Sequence, residues 1–237
     1  MKKILFTLSI IACFSSTINA QKTIKGNGNL GSETRKTANY DVINLLGSTT
    51  IEIIDGIEGD LTLTGDSNLL EYIETTVHNN ELTVKLKSNH NYNTKKGLKV
   101  SVPVQDISKI QLTGSGEIKG KKVLTDTNLE IYLKGSGDIL LHVNNKSVVA
   151  NLIGSGDLEV NGTTKNLQAN VKGSGDISTK ELKAEVGNLH INGSGDIKAH
   201  ITKQVNASVT GSGDIEVYGK PNTVIKNVSG SGSIILK

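Results

Sequence analysis

The chain has 237 residues, with 26 Lys and Arg against 23 Asp and Glu, five tyrosines, two phenylalanines and no tryptophan. A net charge of +3 gives no electrostatic case for nucleic acid or an anionic membrane surface as partner. Arg35 is the single arginine, and since bidentate recognition of phosphate or carboxylate relies on arginine, that near absence argues against such ligands, as the scarcity of rings does against stacking platforms for nucleobases or sugars.

In chain order, Met1-Lys2-Lys3 is followed by the apolar run Ile4 to Ala12, then Ser15-Ser16-Thr17 and the small residue Ala20 before Gln21. This is the pattern of a secretory signal peptide over 1–20, cleaved after Ala20, and the apolar run is too short to span a bilayer, which takes ~20 residues. Removing Lys2 and Lys3 leaves 24 basic residues against 23 acidic ones. The lone cysteine, Cys13, falls inside the signal, so the mature chain has no disulfide, cysteine nucleophile or thiolate metal site. Ile10-Ile11-Ala12-Cys13 resembles a lipoprotein box, which makes lipidation at Cys13 the alternative to cleavage at Ala20.

Residues 21–37 read as a flexible N-terminal segment, with Gly26 to Ser32 as a polar, glycine-rich loop. Residues 38–106 form a less regular β region. Ile51-Glu52-Ile53 and Leu61-Thr62-Leu63-Thr64 alternate apolar and polar, with Asp55-Gly56, Gly59-Asp60 and Gly65-Asp66 as turns. Asn68 to Ile73 has the spacing of one helical turn, whereas Glu74 to Val77 favours strand. Two strands meet at Asn79-Asn80, and Leu98, Val100 and Val102 make a further face that ends at Pro103. The polar stretch Lys87–Lys96 reads as a surface loop, with His90 as a solvated residue in it.

Residues 107–237 are organised by a repeat. Gly-Ser-Gly-Asp-Ile begins at Gly135, Gly173, Gly193 and Gly211, and at Gly154 with Leu158 in the last place; Glu117 and Ser233 replace the aspartate in the flanking copies at Gly114 and Gly230. The first glycines are 21, 19, 19, 20, 18 and 19 residues apart. Two positions before each stand Leu112, Leu133, Leu152, Val171, Ile191, Val209 and Val228. Four before stand Ile110, Ile131, Ala150, Ala169, Leu189, Ala207 and the exception Lys226. Each unit is therefore an alternating strand, a corner and a second short strand, with one face apolar. One unit cannot bury that face alone, and stacking in register makes a continuous narrow core. About 19 residues per turn fits a parallel β-solenoid, whereas a propeller blade takes about 40. The expected fold is all-β, a parallel β-solenoid of about eleven rungs, ~50 Å long at the usual strand spacing.

Glycine at the corners supplies positive φ or close backbone approach, and the aspartate caps the turn by accepting N–H bonds. The alternative is a cation ladder, since Asp138, Asp157, Asp176, Asp196 and Asp214 stack one per rung and would repel by roughly 1 kcal/mol per neighbouring pair. Calcium nonapeptide repeats place a site every ~9 residues, twice as often as here. Catalysis by paired aspartates, as in a β-helix polysaccharide lyase or hydrolase, requires distinct acid and base environments, and five equivalent ones do not provide them. No catalytic residue and no cofactor is expected. His142, His190 and His200 fall at different repeat positions and read as solvated.

Several of these stretches, in order, resemble a known family. Ile51-Glu52-Ile53 leading to Leu61-Thr62-Leu63, then Asn68 to Glu74, then Glu81 to Leu86, and the repeated Gly-Ser-Gly-Asp-Ile, are similar to the bacterial putative auto-transporter adhesins with a head GIN domain, over about residues 38 to 235. The resemblance implies a right-handed parallel β-helix in exported proteins of Bacteroidetes-type bacteria and brings no catalytic or binding residues with it. The expectation is an exported, non-enzymatic binding scaffold of the periplasm or cell surface, with a protein or glycan partner, no nucleic acid and no transmembrane span in the mature chain. A structural envelope protein without a ligand is the third reading. Ile234-Ile235-Leu236 near the C-terminus leaves self-association open.

Overall fold

In the computed structural model, which describes residues 22–237, strands dominate and the regular part winds as a parallel β-solenoid of about seven turns. The first strands are β1 (Lys22–Lys25), β2 (Leu30–Lys36), β3 (Val42–Gly47), β4 (Thr50–Ile54) and β5 (Asp60–Asp66). A 3₁₀ turn, Leu70–Tyr72, leads into β6 (Ile73–His78), β7 (Glu81–Leu86), β8 (His90–Asn93) and β9 (Leu98–Pro103). The repeats supply β10 (Lys109–Gly114), β11 (Glu117–Leu124), β12 (Asn128–Gly135), β13 (Asp138–Gly154), β14 (Asp157–Gly173), β15 (Asp176–Gly193) and β16 (Ile197–Gly211). The last strands are β17 (Asp214–Tyr218), β18 (Thr223–Gly230) and β19 (Ser233–Leu236). The signal peptide, its cleavage after Ala20 and the Cys13 alternative lie outside the described residues.

Register follows the repeat residue for residue. Gly135 pairs with Gly154, Gly154 with Gly173, Gly173 with Gly193 and Gly193 with Gly211. The leucine, valine and isoleucine positions therefore fall into columns: Leu133, Leu152, Val171, Ile191 and Val209 are all at most 3% exposed. Ile139, Leu158, Ile177, Ile197 and Ile215 line the second wall of the same core. Period-two alternation puts every second side chain inward, and stacking in register lets each apolar side chain meet its equivalent one rung away.

The corner glycines satisfy a packing requirement. Gly154 has φ of +132°, and a Cβ placed on it would run into the carbonyl oxygen of Gly135 in the neighbouring rung. That carbonyl accepts from Ser155 N–H at 2.9 Å and Gly156 N–H at 3.2 Å, so the backbones touch where a side chain would otherwise project. At the second glycine, Gly156, the reason is close approach alone, against the Gly137 carbonyl.

Two expectations change. Rungs number fewer than eleven because residues 55–106 do not extend the winding in sequence. Instead β7 and β9 join β3 and β4 as parallel neighbours, while β6, β5 and β2 fold back antiparallel upon them, covering one end. The end of a solenoid must stop its ladder, and reversed strands do so. The second change is local. Within 21–37, β1 and β2 are strands, and Lys87–Lys96 is not all loop: His90–Asn93 is a strand, β8, parallel to β1. The helical turn expected near Asn68–Ile73 is the 3₁₀ turn, and the turn at Asn79-Asn80 joins β6 to β7 with both asparagines at positive φ.

The cap is tied down by a carboxylate that sequence reading took for a turn residue. Asp66 is fully enclosed; its Oδ1 accepts from Gly28 N–H at 2.6 Å and its Oδ2 from Lys95 and Lys96 N–H at 2.8 and 2.9 Å. These backbone bonds, led by that of Lys96, hold its pKa below the ordinary carboxylate range. Arg35 adds a second clasp, donating to the carbonyls of Ile73 and Leu70.

Gly173→Ala is expected to destabilise the chain by at least about 2 kcal/mol in urea unfolding, while Ser174→Ala stays within about 0.5 kcal/mol. Because the folded-state pKa of Asp66 is depressed, its contribution is present above the unfolded value of about 3.9 and is lost as pH falls through the folded value. Hydrogen-exchange protection of residues 88–97, relative to the intrinsic rate at each pH, should therefore fall under acid in the native chain. In Asp66→Asn protection should be low already at neutral pH and change little with acid.

Candidate functional site

The solenoid presents three outward features built from the repeat. The first is the aspartate corner. Asp138, Asp157 and Asp176 pair in register, with Glu117 before them. Their carboxylates serve the next rung. Asp196 N–H donates to Asp176 Oδ1 at 2.8 Å, Asp214 N–H to Asp196 Oδ1 at 2.8 Å, and Ser233 N–H and Oγ–H to Asp214 Oδ1 at 2.7 and 2.8 Å. For these aspartates the turn-capping role runs between rungs; Asp157 is the exception, because Asp176 N–H donates to the Gly156 carbonyl instead. Asp157 N–H reaches Asp138 Oδ1 at a longer 3.3 Å. A shallow depression of about 240 Å³ lies beside Asp157, Asp176 and Asp196. Among the described residues no group of three or more His, Cys, Asp or Glu converges as a metal set.

The sequence conceals one further corner. Gly47-Ser48-Thr49-Thr50-Ile51 occupies the same place, with Gly47 opposite Gly114, Thr50 opposite Glu117 and Ile51 opposite Ile118. Thr49 and Thr50 stand where the motif has Gly and Asp, so pattern matching misses it. The signal that could have found it is Gly-Ser followed by isoleucine three residues on, flanked by Leu45 and Ile53.

The second feature is the outward face of the strand before the corner. The residue three places ahead of each first glycine faces outward, and register stacks Tyr132, Asn151, Asn170, His190 and Ser208 into one column. Gln111, Asn44 and Thr83 continue it in one direction and Asn227 in the other. All nine are uncharged hydrogen-bonding side chains, with tyrosine contributing a ring as well. Asn170 Nδ2 donates to Asn151 Oδ1 at 2.8 Å. Tyr132, His190 and Ser208 have no protein partner for their polar side-chain atoms among the described residues. A groove of about 380 Å³ runs along this column and its neighbour, where Ile153, Lys172, Asn192 and Thr210 line it, and no carboxylate does. His190, read from sequence as an isolated solvated residue, is thus part of an array; His142 and His200 lie off it.

The third feature is a polar groove of about 520 Å³ at another edge, with Lys146, Lys165 and Lys183 among threonines and asparagines. Asp126 and Glu185 also line it, and Glu185 pairs with Lys203 at 2.7 Å. Burial there raises the pKa of Asp126. Asn145 is 6% exposed and donates to the Asp126 carbonyl, while its own Oδ1 has no partner among the described residues.

Away from the repeats, the few rings gather at the cap. Tyr72 and Tyr92 stand 5.5 Å apart with His90 at 5.9 Å from Tyr72, and Lys87 lies over Tyr72. Tyr72 and Tyr92 pack against the core, and Tyr92 O–H donates to the Lys87 carbonyl, so the cluster seats β8 on the cap.

Removing one rung-to-rung acceptor should cost about 1 kcal/mol. Asp196→Ala is expected to lower the urea midpoint accordingly, and Asp196→Asn, which keeps an acceptor, to recover most of the loss.

Comparison with known proteins agrees with this architecture. A putative adhesin from Bacteroides fragilis superposes with a TM-score of 0.85 at 24% identity, covering 90% of this chain and 100% of that one. A protein described as a putative lipid binding protein from Parabacteroides distasonis gives 0.76 at 28% identity, covering 91% and 100%. A putative adhesin from Parabacteroides distasonis gives 0.72 at 21% identity over 91% and 100%. No match is found among curated proteins. The profile described as putative auto-transporter adhesin, head GIN domain, matches residues 39–221, and the chain belongs to that family.

Proposed function

We propose that this chain is an exported, non-enzymatic adhesin that presents one lateral face of the solenoid to a partner at the cell surface. The observation that carries the reading is the uncharged column Tyr132, Asn151, Asn170, His190 and Ser208 over a continuous groove. Neutral amides, hydroxyls and an imidazole fix a ligand by direction at little desolvation cost, and a linear array engages an extended ligand at several points. The N-terminal pattern ending at Ala20 supports export, and no helix of the described residues is long and apolar enough to cross a membrane. Against catalysis stands the sameness of the aspartates, several of which spend an oxygen on the next rung. The relative named for lipid binding prompts a second ligand class. Interior columns at near-zero exposure favour a surface site over an enclosed one for either.

Binding of the purified mature chain to bacterial or epithelial cell surfaces tests this. The native chain should bind, and the double variant Tyr132→Ala/Lys172→Glu should bind about tenfold more weakly. Lys146→Glu, on another edge, should match the native chain. Equal binding by all three, or none by the native chain, would remove this face from the function. Recovered from cells, the mature chain should begin at Gln21.

A further inference from the structure

We infer that the groove along the Tyr132–Ser208 column binds an extended β-1,4-linked polyuronate, one sugar per rung. This rests on the lateral-face reading above and names its ligand. The first ground is periodicity. Parallel rungs repeat every ~4.8 Å, close to the advance per sugar of an extended hexose chain, so a polymer lying along the axis would meet the same side-chain position at every residue. Bulky proteins do not repeat at that interval; an extended glycan does.

The second ground is hydrogen-bonding capacity. The Asn170–Asn151 bond uses one donor and one acceptor, which leaves the Asn151 amide N–H groups and the Asn170 side-chain carbonyl for a ligand of the groove that both residues line. With Tyr132, His190 and Ser208 these provide both donors and acceptors in a row, which suits hydroxyls that also do both. Tyr132 adds the face of a ring at one end, a surface for the C–H side of a sugar. An asparagine ladder alone would serve stability, but it does not explain why tyrosine, histidine and serine continue it in register.

The third ground is charge and its spacing. No carboxylate lines the groove. In the adjacent column Lys134 pairs with Ile153 and Ile153 with Lys172, so these two lysines stand two rungs apart, Lys172 lining the groove and Lys134 in the same column beside it. Successive residues of a β-1,4 chain are turned over relative to one another, which brings a carboxylate to the same side at every second sugar. Lysines two rungs apart match that alternation. Lysine is a compact point charge, which suits single ionic contacts to carboxylates spaced along a chain rather than the bidentate clamp that arginine makes.

Mannuronate hexamer and its neutral counterpart, β-1,4-mannohexaose, differ by the carboxylates alone and make the decisive pair. Titration calorimetry of the mature chain should show binding of the uronate, weakened by added salt, and binding of the neutral hexamer at least about tenfold weaker. Lys172→Glu should abolish the preference, Tyr132→Ala should weaken binding about tenfold, and both should keep the native melting temperature. Asn151→Ala/Asn170→Ala should lose binding as well, with its melting temperature measured alongside. Absence of uronate binding, equal binding of both hexamers, or native-like behaviour of Lys172→Glu and Tyr132→Ala would overturn the assignment. If cell binding is sensitive to Tyr132→Ala/Lys172→Glu but is not competed by the uronate, the ligand class falls and the face stands. If cell binding ignores that double variant, the face falls too.

Discussion

In a parallel solenoid every rung must sit at hydrogen-bonding distance above the last, including at the corners, where the chain changes direction and side chains would ordinarily splay. Here the corner carbonyls of Gly135, Gly154, Gly173, Gly193 and Gly211 each accept from two N–H groups of the neighbouring rung. A Cβ at the equivalent position would occupy the same space. The rest of the structure depends on that contact. It fixes register, and register converts a sequence repeat into columns of like residues. A slip by one residue would carry each apolar side chain to the outside.

Once columns exist, each position acquires a collective meaning that a single residue does not have. Apolar columns become a core thin enough for 19-residue turns to fill with Leu, Ile, Val and Ala. Carboxylates in a column would repel, and bonding Asp176, Asp196 and Asp214 to a backbone N–H of the next rung turns that liability into an additional inter-rung contact. Polar residues that face outward become ladders whose spacing is set by the backbone. That spacing is the property a repetitive ligand would read, and it arises without any loop or cleft being built for the purpose.

The ends obey different rules from the middle. On the N-terminal side the ladder is stopped by antiparallel strands, with Asp66 and Arg35 holding distant segments together through backbone groups. Tyr40 belongs to the same device: its buried hydroxyl donates to the Pro103 carbonyl, and burial raises its pKa. At the last described rung Lys226 takes the position held elsewhere by Ile, Ala or Leu, and its ammonium donates to the Ile234 carbonyl at 2.9 Å. A lysine at a strand edge is a familiar way to discourage strand addition.

Family membership and architecture were legible in the sequence because both rest on local, repeated constraints. Glycine at fixed intervals, alternation of period two and isoleucine after each corner leave few ways to bury one apolar face. The corner at Gly47 escaped notice because threonines replace two of its motif residues, and the strand at His90–Asn93 because its partner, Lys22–Lys25, lies some 65 residues away. Asp66 looked like any turn aspartate, since its three donors come from Gly28, Lys95 and Lys96, and nothing local announces them. The outward column is the sharpest case. Apart from the two asparagines, Tyr132, Asn151, Asn170, His190 and Ser208 differ in residue type, so composition and motif searches see scattered polar residues. Sequence by itself determined the repeat, and with it the fold; only tertiary structure decided which unlike residues become neighbours, because stacking relates positions one full turn apart and is blind to what the side chains are.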